Sequence, residues 1–154
     1  MGDKSKTPAL GAPVPASQTL TGVTPAEIEK FCSARPADPF HRLSVAEALT
    51  RRKPLVVLFA SPSFCTSRTC GPSLEVLSAL HSIHGDEVNF IHVEIYKDGQ
   101  PGEKGEMVPA VAEWALPSEP WLFVVGSDGR LGDKFEGSIT VEEVDPSLAR
   151  VLGV

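Results

Sequence analysis

Two cysteines of the chain, Cys65 and Cys70, have the spacing and surroundings of a redox pair. They stand in the segment FCTSRTCGPS, a C-x4-C pattern that follows an apolar run typical of a buried strand. A thiolate is the reactive species in disulfide exchange, and the N-terminus of a helix stabilises it. A helix is predicted to begin beside Cys70, and Arg68 adds positive charge between the two sulfurs. The residues therefore predict thiol–disulfide exchange, with a static disulfide, unpaired thiols or a metal site as alternatives.

Other residues with chemical potential are more scattered. His92 lies on the second predicted strand, where it could take a proton from a buried cysteine of the pair; alternatively it is a buried histidine with Glu94, on the same face, as its partner. Cys32 is expected to be a small buried apolar side chain, with pairing to another cysteine as the alternative. His81 and His84 could form half a metal site, but no other ligands accompany them. The spacing of the three cysteines does not fit zinc either, so no metal is expected.

Composition sets limits on the class of protein. The chain has 154 residues, of which 42% are hydrophobic and 22% charged, and this predicts one ordinary globular domain. Its net charge of −6 argues against binding to nucleic acid or to an anionic membrane surface. No apolar stretch approaches the roughly 20 residues of a membrane span. Three cysteines are also too few for a disulfide scaffold.

The first 23 residues differ in composition from the rest. Residues 1–23 are rich in Pro, Ala, Ser and Thr without periodicity, and are expected to be a flexible tether before a single domain of residues 24–154. No apolar signal segment is present as written. The chain is then either a cytoplasmic protein with a loose tail or, preferably, an exported one whose signal or membrane anchor has been removed.

Local patterns predict the secondary structure of the domain. Helix-starting capping boxes occur at Thr24, Ser44 and Thr140, and the first should open a helix of about ten residues that ends near Arg35. The run Leu55 to Ala60 predicts a strand buried on both faces. The predicted order is helix, helix, strand, helix, strand, helix, strand, strand, helix. This indicates an α/β fold with a mixed central sheet flanked by helices on both faces.

Three parts of the sequence together resemble the thioredoxin-like superfamily. They are the strand and cysteine junction KPLVVLFASPSFCTSRTCGPSLEVL, the segment LPSEPWLFVVGSDGRLGDKFEG, and the capped helix that closes the chain. The resemblance covers residues 44–153. It implies a thioredoxin-like fold with a redox centre where the first strand meets the following helix.

The cysteine motif departs from the one that the resemblance implies. The family's motif has two residues between its cysteines, whereas here Ser73 stands where a second cysteine would follow Cys70. Two alignments are open. In one, Cys70 is the nucleophile and its partner has become Ser73. In the other, slightly preferred, Phe64 and Cys65 match the family's aromatic–cysteine pair, and Cys70 is a displaced partner.

The resemblance also implies a substrate-docking edge. It predicts that the Glu119–Pro120 bond is cis and that it places a backbone edge beside the cysteines for an extended substrate. Glu119 would face that substrate. The family's buried acid on the central strand is replaced here, with Leu58 near its position, and His92 stands where the family often has a lysine.

These observations predict a thiol–disulfide oxidoreductase that acts on protein thiols or disulfides through Cys65 and Cys70. No organic cofactor is expected, because the cysteine pair is itself the redox centre. The protein is expected to be a monomer outside the cytoplasm, tethered to a membrane by a missing anchor. The alternatives are a non-catalytic module with a structural disulfide and a Sco-type copper-delivery protein, which uses two cysteines and a distant histidine.

Overall fold

The computed structural model describes residues 7–64, 70–99 and 106–152 of the chain. Cys65 and Arg68, two of the predicted site residues, lie outside this part. The helices and strands follow the predicted order along the chain. They are α1 (Pro25–Ile28), α2 (Val45–Thr50), β1 (Leu55–Ala60), α3 (Cys70–His84), β2 (Asn89–Glu94), α4 (Pro109–Glu113), β3 (Trp121–Val125), β4 (Leu131–Glu136) and α5 (Val141–Leu152).

The four strands form one mixed sheet in the order β2-β1-β3-β4. β1 runs parallel to β2 and antiparallel to β3, and β4 is antiparallel to β3. The whole of β1 is buried, as the uninterrupted apolar run predicted. The parallel pair requires a crossover, and α3 supplies it. β1 is thus a central strand, and its carboxyl end leads toward the cysteine junction.

Side chains that alternate along the strands pack into two cores, one on each face of the sheet. Val57 and Phe59 of β1 contribute to the core that α2 and α4 cover, together with the fully buried Trp114. Val56 and Leu58 contribute to the opposite core, which α3 and α5 cover. The predicted α/β fold with helices on both faces is therefore confirmed. Among the described residues, no helix is both long and apolar enough to cross a membrane.

The first helix starts as predicted but is much shorter. At α1, the Thr24 side chain accepts a hydrogen bond from the Glu27 backbone N–H, and the Glu27 carboxylate accepts one from the Thr24 N–H. The helix ends at Ile28 rather than near Arg35. Just beyond it, the Ser33 backbone N–H donates to the Glu94 carboxylate at 2.7 Å. This tertiary hydrogen bond fixes the path of the chain beyond α1, which a local pattern could not predict.

Residues 7–23 differ from the flexible tether that their composition suggested. The Gly11 N–H donates to the Leu131 carbonyl at 2.8 Å, so the segment pairs with the start of the edge strand β4. Ser17 is buried, and its hydroxyl accepts from the Trp114 indole N–H at 2.9 Å. Covering a sheet edge satisfies backbone groups that would otherwise face solvent. A proline-rich segment can do this in an extended conformation without any periodic pattern.

Candidate functional site

Cys70 is the first residue of α3 and is disulfide-bonded. Its position at the N-terminus of a 15-residue helix is the one predicted to stabilise a thiolate. The side chain is only 1% exposed. The Ser73 hydroxyl donates to the Cys70 carbonyl at 2.7 Å, a side-chain hydrogen bond within the first turn of the helix. Cys65 and Arg68 fall in the part of the chain that the structure does not describe.

The sheet places the predicted docking residues at the end of the sheet where β1 finishes and the chain continues toward Cys70. Phe59, near the end of β1, pairs with Trp121, the first residue of β3. Pro120 precedes Trp121, and the Glu119–Pro120 bond is cis, as the resemblance implied. Phe64 follows β1 by four residues and is 41% exposed, an unusual value for a large aromatic side chain in this domain. The start of β3 and the exposed ring of Phe64 therefore follow or adjoin the same end of β1.

A second group of reactive side chains lies in the interior. Cys32, Asp38, His41 and His92, termed here the buried polar cluster, are all buried. One nitrogen, oxygen or sulfur atom from each side chain lies within 4.8 Å of those of the other three. Asp38 is at the centre: its Oδ2 lies 2.9 Å from His92 Nδ1, 3.2 Å from His41 Nε2 and 3.5 Å from Cys32 Sγ. The sulfur of Cys32 also lies 3.6 Å from His92 Nδ1.

The environment of His92 corrects one expectation. Its ring contacts Cys32, a cysteine that was not assigned to it, and its carboxylate partner is Asp38 rather than Glu94. The other ring nitrogen, Nε2, lies 2.9 Å from the Ala60 carbonyl at the end of β1. Glu94 instead accepts hydrogen bonds from backbone N–H groups, including those of Ser33 and Ile95. Side chains on one face of a strand need not bond each other when a loop supplies better partners.

Two elements bring the buried polar cluster together. His92 projects from β2, while the other three members come from the loop between α1 and α2. That loop is held to the strand by the His92 backbone N–H, which donates to the Phe40 carbonyl at 2.9 Å. Within the loop, the Phe40 N–H donates to Asp38 Oδ1 at 3.1 Å and fixes the carboxylate. The cluster is therefore held by backbone hydrogen bonds as well as by its own contacts.

The electrostatics of the cluster favour its charged forms. Burial by itself raises the pKa of Asp38, but hydrogen bonds from His41 and His92 outweigh it and hold the pKa of the carboxyl well below its usual range. Burial by itself lowers the pKa of His92, but Asp38 and Cys32 raise it well above the ordinary value. The same balance raises the pKa of His41 and lowers that of the Cys32 thiol. The four side chains thus compensate one another inside the protein.

Sequence reasoning identified Cys32 and His92 but missed Asp38 and His41. The available signal was the spacing C-x5-D-x2-H from Cys32 to His41, in a proline-rich loop with no periodic pattern. Nothing in the local sequence connects this loop to a strand about fifty residues later. Only the tertiary pairing of the loop with β2 brings the four side chains together.

In comparisons with known proteins, the chain is similar to solved structures in fold but matches no known sequence family. No protein-family profile and no curated protein matches the chain. Among solved structures, MTB dsbF has 18% identity and a TM-score of 0.58, and the match covers 90% of this chain and 98% of that one. A thiol:disulfide interchange protein of the thioredoxin family from Chlorobium tepidum TLS has 16% identity and a TM-score of 0.58, and the match covers 94% of this chain and 99% of that one. A pneumococcal exposed lipoprotein thioredoxin, from Streptococcus pneumoniae strain TIGR4, has 16% identity and a TM-score of 0.51. That match covers 66% of this chain and 89% of that one.

The fold therefore defines the class: the chain has a thioredoxin-like fold, as its sequence resemblance predicted. Within that fold, a disulfide-bonded cysteine begins the helix that follows the central strand. Several structural neighbours are described as thioredoxins or as thiol:disulfide interchange proteins. At these levels of identity the comparisons establish the architecture, and activity has to be argued from the site.

Proposed function

We propose that the chain is a thiol–disulfide oxidoreductase that acts on protein thiols or disulfides through a redox pair of Cys65 and Cys70. The observation that carries the proposal is the disulfide bond of Cys70 at the N-terminus of α3. The chain has three cysteines, and Cys32 is a free thiol, so we assign Cys65 as the second sulfur of the proposed pair. A disulfide at a helix N-terminus is suited to reversible reduction, because the helix stabilises the thiolate that reduction releases.

The electrons and protons of the exchange balance with these two sulfurs and the substrate alone. In the reducing direction, the thiolate of one cysteine attacks a substrate disulfide and forms a mixed disulfide, and one substrate thiolate leaves. The second cysteine then attacks the mixed disulfide and releases the other substrate thiol. Two electrons and two protons pass to the substrate, and the chain is left with the Cys65–Cys70 disulfide. The oxidising direction is the same sequence in reverse.

We assign substrate docking to the edge that begins with Glu119 and Pro120. β3 starts beside the end of β1, so an extended chain lying along this edge would pass the cysteine junction. The exposed ring of Phe64 supplies apolar contact area at the same end of the sheet. Arg68 would add positive charge next to the sulfurs. An extended protein segment is a suitable ligand for such a surface, because the segment carries both backbone hydrogen-bonding groups and side chains.

The setting of this activity is part of the proposal. A disulfide persists most readily in an oxidising compartment, so we propose that the chain works outside the cytoplasm as a monomer, tethered through an N-terminal anchor. One solved structure with the same fold is an exposed lipoprotein thioredoxin, which supports this location.

One observation favours a second candidate, a non-catalytic module with a structural disulfide. Cys70 is 1% exposed, and exchange requires a sulfur that a substrate can reach. In a thioredoxin-like oxidoreductase one sulfur of the pair must be accessible, so the proposal assigns the attack to Cys65 and the resolving step to Cys70.

Catalysis in glutathione buffers separates the two candidates. The substrate is a peptide with two cysteines and a fluorescence donor and acceptor, whose signal changes when its disulfide opens or closes. We expect catalytic amounts of the chain to accelerate opening in reducing buffer, closing in oxidising buffer, or both, over many turnovers. A rate equal to that of glutathione alone in both directions would exclude the oxidoreductase and leave the structural disulfide.

A further inference from the structure

We propose that the buried polar cluster is a zinc site, with Cys32, Asp38, His41 and His92 as its four protein ligands. The site is separate from Cys70, and it does not depend on the proposed redox activity. Thiolate sulfur, imidazole nitrogen and carboxylate oxygen are the donor atoms that zinc takes in proteins. Four such donors from one loop and one strand converge here without any other function assigned to them.

Three of the distances between donor atoms suit a tetrahedral ion, and all four donor atoms lie within 4.8 Å of one another, so the side chains would have to close around the ion. Zinc bonds of about 2.0–2.3 Å place the ligand atoms of a tetrahedron roughly 3.3–3.7 Å apart. Cys32 Sγ lies 3.5 Å from Asp38 Oδ2 and 3.6 Å from His92 Nδ1. His41 Nε2 lies 3.2 Å from Asp38 Oδ2. The 2.9 Å separation between His92 Nδ1 and Asp38 Oδ2 is a hydrogen-bond distance, so these two atoms need to move apart by a few tenths of an ångström.

The groups around the cluster also suit a metal. His92 Nε2 lies 2.9 Å from the Ala60 carbonyl, a contact that fixes the tautomer in which Nδ1 is free to bind the ion. The Phe40 N–H holds Asp38 through Oδ1. One thiolate and one carboxylate balance the two charges of the zinc ion, so the occupied site is neutral where it is buried. The arrangement thus supplies ligands, supporting hydrogen bonds and charge balance together.

A metal accounts for the cluster better than a catalytic thiol does. Cys32 is 0% exposed, so no substrate reaches its sulfur in this conformation. A cavity of about 320 Å³ reaches the cluster from the side of His41 and His92, and it is lined further by Phe31, Val93 and Met107. Among the described residues, Cys32 and Asp38 are not part of that lining. The cavity thus adjoins the two histidines of the cluster, while the sulfur itself is enclosed.

The hard carboxylate argues for zinc over cuprous copper, which prefers sulfur. Four protein ligands leave no open position, so the role is structural. The ion would join the loop that follows α1 to β2 and keep the Cys32 thiolate apart from the disulfide chemistry at Cys70. It would also explain why three polar residues of one loop are turned inward.

The first test is the metal content of the full chain, produced without a histidine tag in zinc-containing medium. We expect one zinc per chain after extensive dialysis, and an increase in Tm when zinc is added back to protein stripped with a chelator. Cobalt in place of zinc should give the visible bands of a tetrahedral ion and a thiolate-to-cobalt charge-transfer band. A folded chain that retains no zinc and gives no cobalt spectrum would overturn the proposal, and the cluster would then be a hydrogen-bonded network only.

Variants assign the ligands. The double variant C65S/C70S keeps Cys32 as its single cysteine and should still bind one zinc with the charge-transfer band intact. Cys32→Ser should lose that band, and Asp38→Asn should bind zinc at least tenfold more weakly. His84→Gln, a histidine replacement on α3 away from the cluster, is the matched control and should bind as the native chain does. A charge-transfer band that survives Cys32→Ser and disappears in C65S/C70S would place the metal at the other cysteines and overturn the assignment.

Discussion

Replacing Cys70 with Ser is expected to reduce catalysis of disulfide exchange to the rate of glutathione alone. Cys70 is the disulfide-bonded residue at the start of α3, and without its sulfur a mixed disulfide with the substrate cannot be resolved within the chain. The fluorescent peptide assay in glutathione buffer measures the effect directly. The variant should also accumulate a stable mixed disulfide with the peptide through Cys65, which mass spectrometry of the unreduced complex would detect.

Ser73→Ala is the matched control for this experiment. Ser73 is as buried as Cys70 and lies one turn further along the same helix, where it donates to the Cys70 carbonyl. Its loss removes one neutral hydrogen bond, worth about 0.5–1.5 kcal/mol of stability, and leaves both sulfurs in place. We expect this variant to retain most of its activity. Loss of activity in Ser73→Ala together with full activity in Cys70→Ser would contradict the assignment of the redox pair.

Removing the carboxylate of the buried polar cluster is expected to have the largest effect on stability. Asp38→Ala leaves two buried histidines and a buried thiol without the group that all three contact. Removing one partner of a buried charged network costs about 3–5 kcal/mol. Urea denaturation followed by circular dichroism should give this decrease in the free energy of unfolding, measured with a chelator present so that no metal contributes.

Asp145→Ala provides the comparison at the surface. Asp145 also pairs with a histidine, since its Oδ1 lies 2.6 Å from His84 Nε2, but its side chain is 40% exposed. A pair of this kind contributes about 0–1 kcal/mol. If Asp38→Ala cost no more than Asp145→Ala, the cluster would not be the compensated buried network described above.

Much of the fold follows from local sequence signals. The apolar run of β1 gave its bounds, because a strand buried on both faces contains no polar residue to confuse the pattern. The capping boxes placed the starts of α1 and α2 at Thr24 and Ser44, because a cap depends on residues three positions apart. The order of helices and strands then limited the topology to a mixed sheet with crossovers.

The errors in the prediction arise where distant residues decide the structure. The Glu94 carboxylate accepts a hydrogen bond from the Ser33 N–H and fixes the path of the chain beyond the turns that follow α1. Backbone pairing with β4 orders the segment around Gly11, and composition alone predicts flexibility there. His41 carried no signal of its own, because its role depends on a loop that packs against β2. The start of a helix at Cys70 was therefore predictable from local signals, whereas the meeting of four side chains in the interior was not.

The two cysteine environments differ in a way that suits two separate roles. Cys70 begins a long helix and is disulfide-bonded, whereas Cys32 is a free thiol surrounded by Asp38 and two histidines. Exchange chemistry requires that the free thiol does not compete with the redox pair. Burial of Cys32 meets that requirement, and bound zinc would strengthen it.

The most direct test of the account is a redox titration of the chain in glutathione buffers, in which alkylation and mass spectrometry follow each cysteine separately. We expect Cys70 and Cys65 to titrate together as one two-electron couple between about −120 and −270 mV, the range of known oxidoreductases, while Cys32 stays reduced throughout. A Cys70 disulfide that remains closed below about −300 mV would be a structural link, and the proposed oxidoreductase would be wrong.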